Sequence, residues 1–125
     1  MNQRQTLITA AILGMLGVTL GAFGAHALKP MLTASVRLDT YELAVRYQFF
    51  HALALLATGI LMQQFSSARL RYAALLFVTG IIFFSGSLYV LCFTGIGILG
   101  AITPIGGVLM IAGWILLAFG IAQKQ

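Results

Sequence analysis

The chain has 125 residues, 61% hydrophobic and only 7% charged, with Lys and Arg outnumbering Asp and Glu by 7 to 2. A soluble domain carries about a quarter charged residues, so this composition excludes an ordinary water-soluble fold and leaves room for one membrane domain over residues 1–125. In a soluble protein the positive charge would suggest nucleic acid. Here Arg4, Lys29, Arg37, Arg46, Arg69, Arg71 and Lys124 sit between or beside apolar blocks, as topology signals do, and no nucleic-acid partner is expected.

Apolar residues fall into four blocks at residues 7–28, 49–62, 72–93 and 104–122. Crossing about 30 Å of hydrocarbon takes on the order of 20 helical residues. The predicted fold is therefore all-α: an integral membrane bundle with spans at about residues 6–28, 44–64, 72–93 and 104–122, and a short interfacial helix between the first and second.

In the first span, Gly14, Gly17, Gly21 and Gly24 form one stripe of a 3.6-residue helix, where a second helix can approach closely. The span ends in Ala25-His26-Ala27, which has the A-x-A form of a signal-peptidase site. Its apolar run is longer than a secretory h-region and its glycines fit packing positions, so a retained helix is expected. Lys29-Pro30 then reads as a stop, because the residue before proline is pushed out of the α region.

Residues 31–48 form the one polar stretch. Ser35 is a candidate N-cap for a helix that runs through Asp39, Glu42, Arg46, Tyr47 and Gln48 into the second span. At about 100° per residue, Asp39, Glu42 and Arg46 share one face while Tyr47 and His51 take the other. Glu42 and Arg46 also stand in the favourable order for an i,i+4 pair.

The second span reads as ending at Gln63-Gln64, with a basic turn over 65–71. Thr79, Gly80, Ser85, Gly86 and Ser87 give the third span small residues whose hydroxyls can bond back one turn or reach a neighbouring helix. The linker 94–103 carries no charge, which suits the headgroup layer or a protein surface. Thr103-Pro104 reads as N-cap and first turn of the fourth span, where Gly106, Gly113 and Gly120 recur every seven residues. Trp114 falls mid-span, so its indole N–H requires a buried acceptor.

Among residues that could carry chemistry, His26 and His51 read as ending one span and beginning the next, a placement that would allow bis-histidine ligation of a haem or metal. Without Cys or carboxylate at metal spacing the signal is weak, and no cofactor is expected. Cys92, the single cysteine, cannot form an intrachain disulfide. No GxSxG, P-loop, HExxH, CxxC or paired-carboxylate arrangement occurs, so nothing motivates an enzyme.

Gly21-Ala22-Phe23-Gly24-Ala25-His26-Ala27-Leu28, Ala44-Val45-Arg46-Tyr47-Gln48 with Phe50-His51-Ala52-Leu53-Ala54, Phe84-Ser85-Gly86-Ser87-Leu88-Tyr89 and Ile102-Thr103-Pro104-Ile105-Gly106-Gly107 are four ordered motifs. Together they resemble the YgdD/YwdK-like small bacterial membrane proteins over nearly the whole chain, with Tyr41 standing where many members have tryptophan. That family is a domain of unknown function. The resemblance implies a multi-pass protein of the inner membrane and groups His26, Glu42, Arg46, Tyr47, Gln48, His51, Ser85 and Ser87 as one candidate polar site.

The expected function is a non-enzymatic binding or assembly protein whose polar site lies at the non-cytoplasmic end, with membrane lipids as partners. The alternative is a subunit of a small-molecule or ion transporter or channel. The basic loop places both termini in the cytoplasm. The glycine stripes suggest a homo-oligomer.

Overall fold

Asn2 starts the first helix, α1 (Gln3–Ala25): its side chain accepts from the Gln5 amide at 2.8 Å while the Gln5 side chain accepts from the Asn2 amide at 3.1 Å, a reciprocal cap. The computed structural model describes residues 1–123; Lys124, counted above as a topology signal, lies outside the described residues. α2 (Lys29–Ala34) is a short helix before α3 (Leu38–Leu61), the second span. The third span is α4 (Ala68–Ile81), a π-helical turn (Ile82–Gly86) and α5 (Ser87–Thr94). A 3₁₀ turn (Gly97–Ala101) leads into the fourth, α6 (Thr103–Ala122). The four spanning helices have mean hydropathies of 2.0, 1.3, 2.2 and 2.3, lowest in the second. Large apolar residues such as Ile8, Val18, Phe50, Ile111 and Phe119 lie exposed, as they must where the surrounding solvent is hydrocarbon.

Several local expectations give way to different geometry. Pro30 opens α2 instead of stopping α1, because its missing N–H is harmless in a first turn. Ser35 caps no helix start; it ends α2, with its hydroxyl donating back to the Met31 carbonyl at 3.0 Å. The second span is longer at its start than the predicted 44–64, since the polar residues from Leu38 onward are already helical. Arg69 and Arg71 stand in the first turns of α4, not in a loop, because Ser67 caps that helix through the Arg69 amide at 3.2 Å. Thr103 is the first helical residue, its hydroxyl turned to Ser87, so it does not serve as N-cap.

Between α2 and α3 the chain turns at Val36, where φ is +56°. The Val36 amide donates to Thr33 at 3.1 Å and the Arg37 amide to Leu32 at 2.8 Å, the two bonds of a Schellman stop. That stop normally uses glycine, since a side chain in the left-handed region costs about 1–2 kcal/mol.

The glycine stripes become sockets. From Gly17 to Gly21 to Gly24, the facing residue on α3 retreats from Phe49 to Val45 to Tyr41, which sets the two helices antiparallel. Gly106, Gly113 and Gly120 likewise receive Phe84, Phe77 and Leu70 of the third span. Of the predicted packing glycines only Gly14 meets nothing within 4 Å. The stripes that suggested a second copy are thus filled from within one copy. Leu55, Leu70, Ala73, Ala74 and Phe77 form the central buried cluster where the pairs meet.

The sockets predict an order of sensitivity. Gly106→Ala should be the most damaging, because its new methyl would press on the Phe84 backbone, which cannot swing aside. Gly17→Ala would meet the Phe49 ring at 2.7 Å, and repacking should cost about 1–3 kcal/mol. Gly14→Ala should be neutral or stabilising. Thermal unfolding in detergent reads the order, and a destabilisation by Gly14→Ala as large as that of Gly106→Ala would refute the packing scheme. Val36→Gly should stabilise by up to about 1 kcal/mol, measured the same way.

Candidate functional site

Gln48 is buried at the junction of three spans. Its amide nitrogen donates to the Leu13 carbonyl of α1 at 2.9 Å, and its amide oxygen accepts from the Tyr89 hydroxyl of α5 at 2.7 Å. The Tyr41 hydroxyl makes a parallel bond to the Leu20 carbonyl at 2.5 Å, and the Tyr41 and Tyr89 rings meet edge to face with centroids 5.4 Å apart. Both carbonyls are reached because the residue one turn further along α1 is glycine: Gly17 beyond Leu13 and Gly24 beyond Leu20. A side chain at either position would fill the space that Phe49 and Gln48, or Tyr41, now occupy.

The adjoining face of α3 builds an aromatic box. His51 is buried, its Nδ1 2.8 Å from the Tyr47 carbonyl and its Nε2 3.1 Å from the Trp114 indole nitrogen. A carbonyl can only accept and an indole N–H can only donate, so the ring is the neutral tautomer with its proton on Nδ1. The mid-span tryptophan thereby has the acceptor its position demands. Tyr47 stacks on Phe84 at 4.6 Å and on His51 at 6.0 Å, while Phe77 closes on Trp114 at 5.2 Å. Ser85 donates across to the Ala44 carbonyl at 2.6 Å from within the π turn, and the Ser87 and Thr103 hydroxyls share a hydrogen bond of 2.7 Å.

His26 does not join this box. It caps α1 and is exposed, whereas His51 sits thirteen residues into α3, about 20 Å along its axis, so the two histidines are not at one depth. Both ring nitrogens of His51 are already bonded, to the Tyr47 carbonyl and the Trp114 indole, so its ring ties the second span to the fourth. Among the described residues no group of three or more His, Cys, Asp or Glu could hold a metal ion.

Glu42 and Arg46 form no pair. Both are exposed, and neither makes a hydrogen bond or ion pair with another described residue. The i,i+4 order alone stabilises little at an open surface. They border a groove of about 290 Å³ between α1 and α3, whose remaining wall is Gly21, Gly24, Ala25, Tyr41 and Val45. A groove of similar volume at the terminal end has Arg71 but no acid.

The predicted set thus separates into a buried bracing layer (Gln48, His51, Ser85, Ser87, with Tyr47 half buried), a charged groove (Glu42, Arg46) and an isolated cap (His26). Sequence reasoning missed Tyr41, Tyr89 and Thr103 as interhelical bonding groups. Tyr41 carried a usable signal: it lies one and two turns before Val45 and Phe49, on the face that meets the glycines.

Such an architecture defines a small multi-pass membrane protein, braced by interhelical hydrogen bonds rather than by an aqueous core. A family profile described as "Protein of unknown function (DUF423)" matches residues 20–107. The chain is 48% identical to a UPF0382 membrane protein of Staphylococcus saprophyticus over 114 residues, 91% of this chain and 93% of that one. It is 39% identical to the UPF0382 inner membrane protein YgdD of Escherichia coli K12 over 120 residues, 96% of this chain and 91% of that one. The chain belongs to this family of membrane proteins of unknown function. No solved structure matches it.

Tyr89→Phe strands one acceptor of Gln48 and should cost about 0.6 kcal/mol, the mean for hydrogen bonds between membrane helices. Gln48→Leu loses two bonds and should cost more in the same unfolding assay. His51→Phe should shift the emission of Trp114, the single tryptophan, to shorter wavelength as its indole loses an acceptor. Glu42→Gln and Arg46→Gln should be additive in unfolding free energy; a clear coupling would show a pair that the static geometry lacks.

Proposed function

We propose that this chain is a non-enzymatic binding or assembly protein of the bacterial inner membrane, with both termini in the cytoplasm and its working surface at the other end of the bundle. One observation carries the reading. No buried side-chain nitrogen or oxygen among the described residues lacks a hydrogen-bond partner, while Glu42 and Arg46, the charged residues set furthest inside a spanning helix, are unpaired beside a groove. Polar groups bonded to each other brace a bundle; a conduction path instead needs them turned toward water.

A slight excess of Lys and Arg supports this orientation: Arg4, Arg69 and Arg71 lie at the end that holds the termini and Lys29 and Arg37 at the other, with the Arg46 backbone eight residues inside α3. The relative named an inner membrane protein supports the location.

Reporter fusions at Gln125 and within residues 31–40 should be active in the cytoplasm and periplasm respectively. Proteoliposomes holding the purified chain should leak ions and small solutes no faster than empty vesicles. A flux that Gln48→Leu abolishes would replace the binding reading with transport.

A further inference from the structure

The groove's charges carry a more specific reading, which rests on the binding function just proposed. We infer that the cleft between α1 and α3 binds the headgroup of a zwitterionic phospholipid that bears a primary ammonium, with Arg46 on its phosphate and Glu42 on its ammonium.

Depth is the first reason. Arg46 lies eight residues beyond Leu38, about 12 Å along the helix axis, and Glu42 only about 6 Å. A guanidinium stays charged wherever it is, and one facing acyl chains must reach an anion or the interface. Side chains on a helix lean toward its N-terminus, which in α3 is the interfacial end, so Arg46 extends toward the headgroup layer and not toward the bilayer centre. No described residue supplies its anion. The nearest phosphate in a bilayer belongs to a lipid.

Order is the second reason. In a glycerophospholipid the phosphate joins the glycerol and the ammonium lies beyond it, so the deeper charge is negative and the outer one positive. The protein offers the complement, with the cation deeper and the acid one turn nearer the water. Gly21 and Gly24, packed against Val45 and Tyr41, put no side chain of α1 into the cleft, and Val45 with the exposed Ala25 gives it an apolar wall against which the glycerol and upper acyl carbons can lie. An ammonium with three N–H groups can donate to Glu42; a trimethylated one cannot, and a glycerol headgroup brings no cation.

Native mass spectrometry of the full chain, released from detergent with equal amounts of dioleoyl phosphatidylethanolamine, phosphatidylcholine and phosphatidylglycerol, tests the assignment. Wild type should retain the ethanolamine lipid about tenfold over the other two, the effect of one charge-assisted hydrogen bond. Glu42→Gln should erase the preference but keep binding. Arg46→Gln should lower retention of all three lipids, and Ala25→Phe, which adds bulk at an exposed position of the groove wall, should displace all three. Equal retention of the three lipids by wild type, still abolished by Ala25→Phe, would overturn the headgroup assignment while the groove remained a binding site. Retention untouched by Ala25→Phe would overturn the assignment and the binding reading together.

Discussion

Gln48 is the constraint on which the bundle turns. In hydrocarbon an apolar helix gains nothing by burying apolar surface against another, so packing contacts and interhelical hydrogen bonds must set the arrangement. One primary amide, donating to the Leu13 carbonyl and accepting from Tyr89, fixes the first and third spans relative to the second. Tyr41 repeats the attachment to α1, Ser85 adds a second to the third span, and Trp114 brings the fourth span to His51. Every one of these bonds involves α3. The least apolar span, mean hydropathy 1.3, is therefore the one placed to hold the other three.

Glycine makes those bonds possible. A helix carbonyl is already bonded within its helix, and its second lone pair is shielded when the residue one turn on has a side chain. Gly17 and Gly24 leave that lone pair of Leu13 and Leu20 open to Gln48 and Tyr41. Close packing and polar satisfaction are thus one arrangement on this face, and substitution at the glycine disturbs both.

The spans, their number, and the faces of α1 and α6 were legible because the bilayer imposes length and apolarity and because glycine spacing registers directly on a helix. Trp114's need for an acceptor was legible for a similar reason, since an indole N–H in hydrocarbon has few ways to be satisfied. The acceptor's identity was not, because His51 stands 63 residues away and only the tertiary fold brings the two together. Glu42 and Arg46 misled in the opposite sense: their spacing suits an ion pair, but an exposed i,i+4 pair offers too little to hold two long side chains together. Pro30 and Ser35 misled because each residue type suits more than one helix end.

The π turn at Ile82–Gly86 has a consequence for how one helix can serve two neighbours. It places an extra residue in nearly the same rise, turning everything beyond it by about 100° relative to an unbroken α-helix. Before the turn, Leu70 and Phe77 fit the glycines of α6; beyond it, Leu88 and Leu91 pack with Ala44 and Tyr89 reaches Gln48, all on α3. The third span behaves as two helices joined by a phase adjuster, so its two halves can each present their own face to the neighbouring spans. A single-residue deletion there would straighten the rod and leave one half facing the wrong neighbour, making this the segment of the chain whose length, more than its composition, the architecture constrains.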